Sequence, residues 1–113
     1  MQKSGNTVTI HNATDADLRQ LLYKNDYVIV KFTDKECKVC QELAPSFEEM
    51  SKEAEYKDVL FLRMDATENP VSRKEVKLNG TPFIATYKKA VLLDCGLVSK
   101  RDEISTMLDN LLQ

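Results

Sequence analysis

The stretch Tyr27-Val28-Ile29-Val30-Lys31-Phe32 is β-branched or aromatic except at Lys31, and a short polar turn separates it from Cys37-Lys38-Val39-Cys40. Such a run suits a central strand covered on both faces. From Cys40 onward Leu43, Phe47, Met50 and Ala54 recur at spacings of three and four, which predicts a helix beginning near Cys37 with one apolar stripe. Both cysteines then sit in its first turn. Unpaired N–H groups and the helix dipole favour thiolate over thiol there, and the thiolate is the form that attacks disulfides. With two residues between them the cysteines can close a small ring, so Cys40 can displace a partner linked to Cys37. The motif reads as a redox pair.

Composition bounds the alternatives. A chain of 113 residues, 42% apolar and 30% charged, predicts one globular domain spanning 1–113, large enough to bury a core without disulfide staples. Its net charge of -2, with both signs interspersed, argues against nucleic acid or a polybasic membrane contact. Neither an apolar leader at Met1 to Asn6 nor a membrane-spanning run is visible, so a reducing, cytoplasmic compartment is expected. Three cysteines do not make a secreted disulfide scaffold. A zinc site within the chain would need four ligands, and beyond the pair only Cys95 and His11 are on offer. No metal and no cofactor are expected, although two chains could pool thiolates around a cluster. The charged segment from Glu48 to Asp58 reads as a solvated helix face.

In chain order, Thr7 to Ile10 suggests a first strand. Thr14 with Asp17 marks a helix start, with Leu18, Leu21 and Leu22 as its buried face. After the cysteine helix, which carries Pro45 and should bend there, Val59 to Met64 is a strand interrupted by Arg63. Asn69-Pro70 opens a short helix to about Val76. Phe83 to Tyr87 and Val91 to Cys95 read as a hairpin turning around Lys88-Lys89. Ser99 with Asp102 signals a last helix, whose stripe is Ile104, Met107, Leu108, Leu111 and Leu112. Strands alternating with helices, then a hairpin and helix, imply an α/β domain of three layers.

The order of elements, Cys37-Lys38-Val39-Cys40 after a central strand, Pro45, Asn69-Pro70, Thr81-Pro82 and Gly96 together resemble the thioredoxin family, from about Thr7 to Leu112. The resemblance implies the thioredoxin fold: a central mixed sheet with helices on both faces and two antiparallel strands at one edge. It implies Cys37 as attacking thiol, Cys40 as resolving thiol, and a cis peptide before Pro82. Thr81, Pro82, Lys38, Val39 and Gly96 would line the groove that receives substrate. The activity implied is thiol–disulfide oxidoreduction on disulfide-containing proteins, with a reductase or small thiol as electron donor and a monomer as the working form. The alternative is a binding or regulatory module of the same fold in which redox turnover is incidental.

Three departures accompany the likeness. Thioredoxins typically carry Trp before the first cysteine and Gly-Pro between the pair; here Glu36 and Lys38-Val39 stand there and the chain has no Trp. The strand position six residues before the first cysteine, a buried carboxylate in many members, is Lys31. Its expected strand neighbour, Arg63, is also cationic, so one of the two should reach solvent or a carboxylate, Glu36 and Asp65 being nearest in sequence. Cys95, just before Gly96, is expected near the groove rim, where it is either a small packing residue or a third reactive thiol.

Overall fold

The computed structural model describes residues 9–113. The strand expected at Thr7 to Ile10 begins outside them; its described part is β1, Ile10–Asn12. There follow α1 (Asp15–Lys24), β2 (Tyr27–Thr33), α2 (Lys38–Ser51), β3 (Val59–Asp65), α3 (Pro70–Glu75), β4 (Phe83–Lys88), β5 (Val91–Leu97) and α4 (Arg101–Leu111). The strands form one mixed sheet ordered β1-β3-β2-β4-β5. β1 and β2 run parallel to β3, while β4 is antiparallel to β2 and β5 to β4. This is the expected fold.

β2 is central because both its faces are apolar. Successive side chains alternate across a strand, so Val28, Val30 and Phe32 pack with Leu18, Leu62, Met64, Val76 and Ala85 on one side. Ile29 packs on the other with Leu43, Phe47, Phe61, Ile84, Ile104 and Leu108. Each such side chain, fully buried, contributes about 1.5–3 kcal/mol. The α4 stripe falls where expected, with Ile104, Met107, Leu108 and Leu111 buried and Leu112 partly so. At α1 only Leu18 is fully buried, and Leu21 and Leu22 pack at the margin.

Local signals fare unevenly. At α1 the Asp17 carboxylate reaches back to accept from Thr14 N at 3.3 Å and from its hydroxyl at 3.0 Å, as the Thr14/Asp17 pair predicts. At α4 the residue reaching back is Glu103, not Asp102: its Oε1 accepts from Ser99 N at 2.7 Å and Lys100 N at 3.1 Å. Helix α2 runs through Pro45 and stops at Ser51, so the stripe continues over Cys40, Leu43, Phe47 and Met50 but loses phase before Ala54. Ala54 is exposed, and Tyr56 at the end of the following 3₁₀ turn is buried in its stead. The hairpin turns one residue later than expected, at Lys89-Ala90, with φ of 50° and 69°. A two-residue loop of that hand matches the strand twist, at about 1–2 kcal/mol for each L-residue held there.

Candidate active site

Cys37 is the N-cap of α2, in extended backbone, placed by the tight turn that Asp34 closes: Asp34 O accepts from Cys37 N at 3.1 Å and its Oδ1 from Glu36 N at 3.1 Å. The Cys37 sulfur accepts from Cys40 N at 3.1 Å. It therefore stands where the N–H groups and dipole of α2 favour negative charge. Cys37 and Cys40 are joined as a disulfide, with Cα atoms 5.2 Å apart, so the oxidised pair fits within one helical turn. Cys37 is half-buried, while Cys40 is 4% exposed on the inward stripe of α2. Lys38 and Val39, between them, both face solvent.

The Thr81-Pro82 bond is cis. The register puts Phe83, just after Pro82, opposite Phe32, near the end of β2 that leads into Cys37, so the proline and the cysteine turn occupy the same end of the sheet. Pro82 itself is buried and its carbonyl accepts from Val98 N at 3.0 Å. Gly96 pairs with Ile84, and a Cβ there would meet nothing within 4 Å. The tight contact is one residue on: a Cβ on Gly80 would lie 3.1 Å from Leu97 Cδ2, in a backbone with φ of 157°. Leu97 is 50% exposed beside the Gly80-Thr81-Pro82 turn and was not among the expected site residues. An apolar residue ending an edge strand next to that proline loop was the available signal.

Lys31 is 1% exposed on the α2 side of the sheet, its Nζ 5.1 Å from the centre of the Phe47 ring. Arg63 is its register neighbour. The expected carboxylate partners do not serve either cation. Arg63 Nε donates to Asn12 Oδ1 at 2.9 Å, whereas Asp65 Oδ1 accepts from Thr67 N, the Thr67 hydroxyl and Glu68 N. Glu36 faces solvent. Burial first, then the Arg63 charge, pulls the Lys31 ammonium down to about 8, with the Phe47 ring as its compensating contact.

Cys95 is half-buried on the opposite face, where its thiol donates weakly to Val76 O at 3.7 Å and packs against the core around Ala85 and Tyr87. Its register partner is Ala85, two positions along β4 from Phe83. These are the contacts of a packing residue. Among the described residues no cluster of metal-ligating side chains occurs, and no helix is long and apolar enough to cross a membrane.

The thioredoxin family model matches residues 9–110. The chain belongs to the thioredoxin family. A thioredoxin of Rickettsia bellii is 31% identical over 103 residues, covering 88% of this chain and 97% of that one. A thioredoxin of Geodia cydonium is 34% identical over 82 residues, 71% and 76% of the two chains. Among solved structures, a chain in the crystal structure of the complex of ferredoxin:thioredoxin reductase and thioredoxin f2 superposes at TM-score 0.84 with 17% identity, over 92% and 96% of the two chains. That last likeness is one of fold. Family, fold and disulfide-bonded pair together identify a thiol–disulfide oxidoreductase.

Proposed function

We infer that this thioredoxin-family protein reduces or exchanges protein disulfides through Cys37 as nucleophile and Cys40 as resolving thiol. The observation that carries the assignment is the asymmetry of the pair: Cys37 caps α2 at the surface, while Cys40 is buried on the inward stripe. In the reduced protein the Cys37 thiolate attacks one sulfur of a substrate disulfide, forming a mixed disulfide and releasing the other sulfur as a thiolate. Cys40, losing its proton, then attacks Cys37 Sγ. The second substrate sulfur leaves as a thiolate, and the Cys37–Cys40 disulfide remains; two electrons have passed to the substrate. The helix N-terminus stabilises negative charge on Cys37 both as nucleophile and as leaving group.

No bound cofactor is needed for this cycle; a reductase or a small-thiol pool would return the two electrons. Thr81, Pro82, Lys38, Val39 and Gly96, with Leu97 added, would form the surface that receives an extended substrate segment. The backbone of Thr81 gives sequence-tolerant pairing, and Val39 and Leu97 give apolar contact. Cysteine usage supports a reducing, cytoplasmic setting, and the working form in this reading is a monomer. Replacing Cys40 by Ser should trap a mixed disulfide with an insulin-type substrate through Cys37, detected by mass mapping. Faster trapping through Cys40 in a Cys37→Ser variant would reverse the roles. Absence of any trapped species, with wild-type turnover no faster than free dithiol, would favour the binding-module reading.

A further inference from the structure

A depression of about 460 Å³ lies on the α1 and α3 side of the sheet, within the size range of small-molecule sites. Its apolar wall is Leu18, Leu22, Tyr23, Val71 and Leu92, and neither the cysteine pair nor Thr81-Pro82 lines it. Tyr23 at 76%, Val71 at 59% and Leu92 at 37% are among the most exposed large apolar side chains of the described residues. Tyr87 completes the lining. It is 5% exposed, and its hydroxyl is shut off from solvent with no hydrogen-bond partner among the described residues. A buried donor left unmade is costly, and protein interiors rarely keep one. Here the unsatisfied donor and the apolar wall belong to the same depression.

The charges narrow the ligand. Asp15, at the edge, is already committed: its two carboxylate oxygens accept from Val71 N at 3.0 Å and Ser72 N at 2.9 Å. Asp15, Arg19 and Glu75 together give the lining two negative charges and one positive, so an anion is disfavoured, while the Asp15 carboxylate is held by the α3 N-terminus rather than free to bind a cation. Burial first, then Glu75 and Cys95, pushes the Tyr87 phenol up to about 12, so it offers a proton at every physiological pH. A cationic ligand would leave that donor unpaired, and an anionic one placed on it would face Glu75. We propose that this depression is a second binding site, separate from the redox pair, for a small neutral and mainly apolar molecule that presents one carbonyl-type acceptor to Tyr87. Because the hydroxyl is closed to solvent, an acceptor reaches it only if a lining side chain moves; Leu92 and Glu75, both exposed, are lining residues with room to do so.

The test uses matched probes sharing one aromatic body: benzylacetone (ketone), hydrocinnamate (anion), phenethylamine (cation) and ethylbenzene (no acceptor). Affinities are read from amide chemical shifts of the full chain. Benzylacetone should bind tightest, with shifts centred on Leu18, Leu22, Val71 and Leu92. Tyr87→Phe should weaken benzylacetone about fivefold while leaving ethylbenzene unchanged, as expected for one neutral hydrogen bond. The same variant without ligand should melt no lower than wild type, because it removes an unsatisfied donor. Val71→Arg, at an exposed position, should block all four probes and leave the fold intact. The proposal fails if no probe shifts these amides at millimolar concentration, if the charged probes bind best, or if Tyr87→Phe binds benzylacetone as well as wild type does.

Discussion

Helices α2 and α3 both follow a strand of the parallel part of the sheet, yet their N-termini are closed in opposite ways. At α3, Pro70 has no N–H to satisfy, and the next two N–H groups donate to the Asp15 carboxylate from α1. Asn69 completes the clamp: its Oδ1 accepts from Asp15 N at 2.8 Å and its Nδ2 donates to Asp65 O at 2.8 Å. At α2 the acceptor is the Cys37 sulfur, a weak one in its uncharged forms. One terminus has its positive end neutralised by a full carboxylate. The other keeps it available, and only a thiolate would use it fully. The same backbone physics thus serves stability at α3 and reactivity at α2.

Breaking the α2 end should have the largest effect. Cys37→Ser should lower disulfide reduction by at least about a thousandfold, since the nucleophile itself is lost. Serine is also a good N-cap, so urea unfolding of reduced protein should shift by less than about 1 kcal/mol. A large loss of stability instead would mean that the sulfur is chiefly a structural cap.

Lys31 tests what lies beneath α2. Its folded value of about 8 is below the ordinary 10.5, so the unfolded chain holds a proton that the folded chain has released between those pH values. Stability should therefore rise with pH across that window and be lower below it, by on the order of 2 kcal/mol after allowance for solvent screening. Lys31→Met should raise stability at neutral pH by a similar amount and remove that rise relative to wild type. A variant that is less stable at neutral pH would show that the contact with Phe47 outweighs desolvation.

Breaking the α3 end should be milder and silent in catalysis. Asp15→Ala leaves two N–H groups without their carboxylate and should cost roughly 1–2 kcal/mol, with turnover unchanged. Burial pushes the Asp15 carboxyl up, but hydrogen bonds from the Ser72 side chain and the Ser72 and Val71 backbone outweigh it, and the net direction is down. Its contribution is thus present above the ordinary carboxylate range and lost as pH falls through the lowered folded value. The stabilities of wild type and Asp15→Asn should differ above that range and converge as pH falls through it. The smallest effect is a control that takes no part in the hydrogen bonds of either helix end: Ala90→Gly, which relieves a φ of 69°, should gain up to about 1 kcal/mol.

Periodicity carried most of the architecture. The β2 run and the α2 and α4 stripes were legible because alternation and three-to-four spacing follow from backbone geometry alone. The cysteine pair at a helix start was legible for the same reason, and the cis bond at Pro82 came through the resemblance. Single-residue features were less so. Ser99 and Asp102 fit a cap pattern as well as Glu103 does, and only the path of the chain decides which carboxylate arrives. The exposed wall residues Tyr23, Val71 and Leu92 lie on separate elements and show no pattern in sequence.

By itself the sequence determined that a buried strand delivers two cysteines to a helix start, because that depends on neighbours along the chain. Tertiary structure decided everything that depends on neighbours across it. Lys31 and Arg63 are far apart in sequence but adjacent in register, and β1 on the far side of β3 supplies Asn12 to Arg63, leaving Lys31 to the Phe47 ring. Likewise the α3 clamp comes from α1, and the apolar depression exists only because α1, α3 and the β4–β5 hairpin meet over Tyr87. Local geometry is encoded within a few residues, whereas the partner of a buried charge or donor is set by the packing of whole elements.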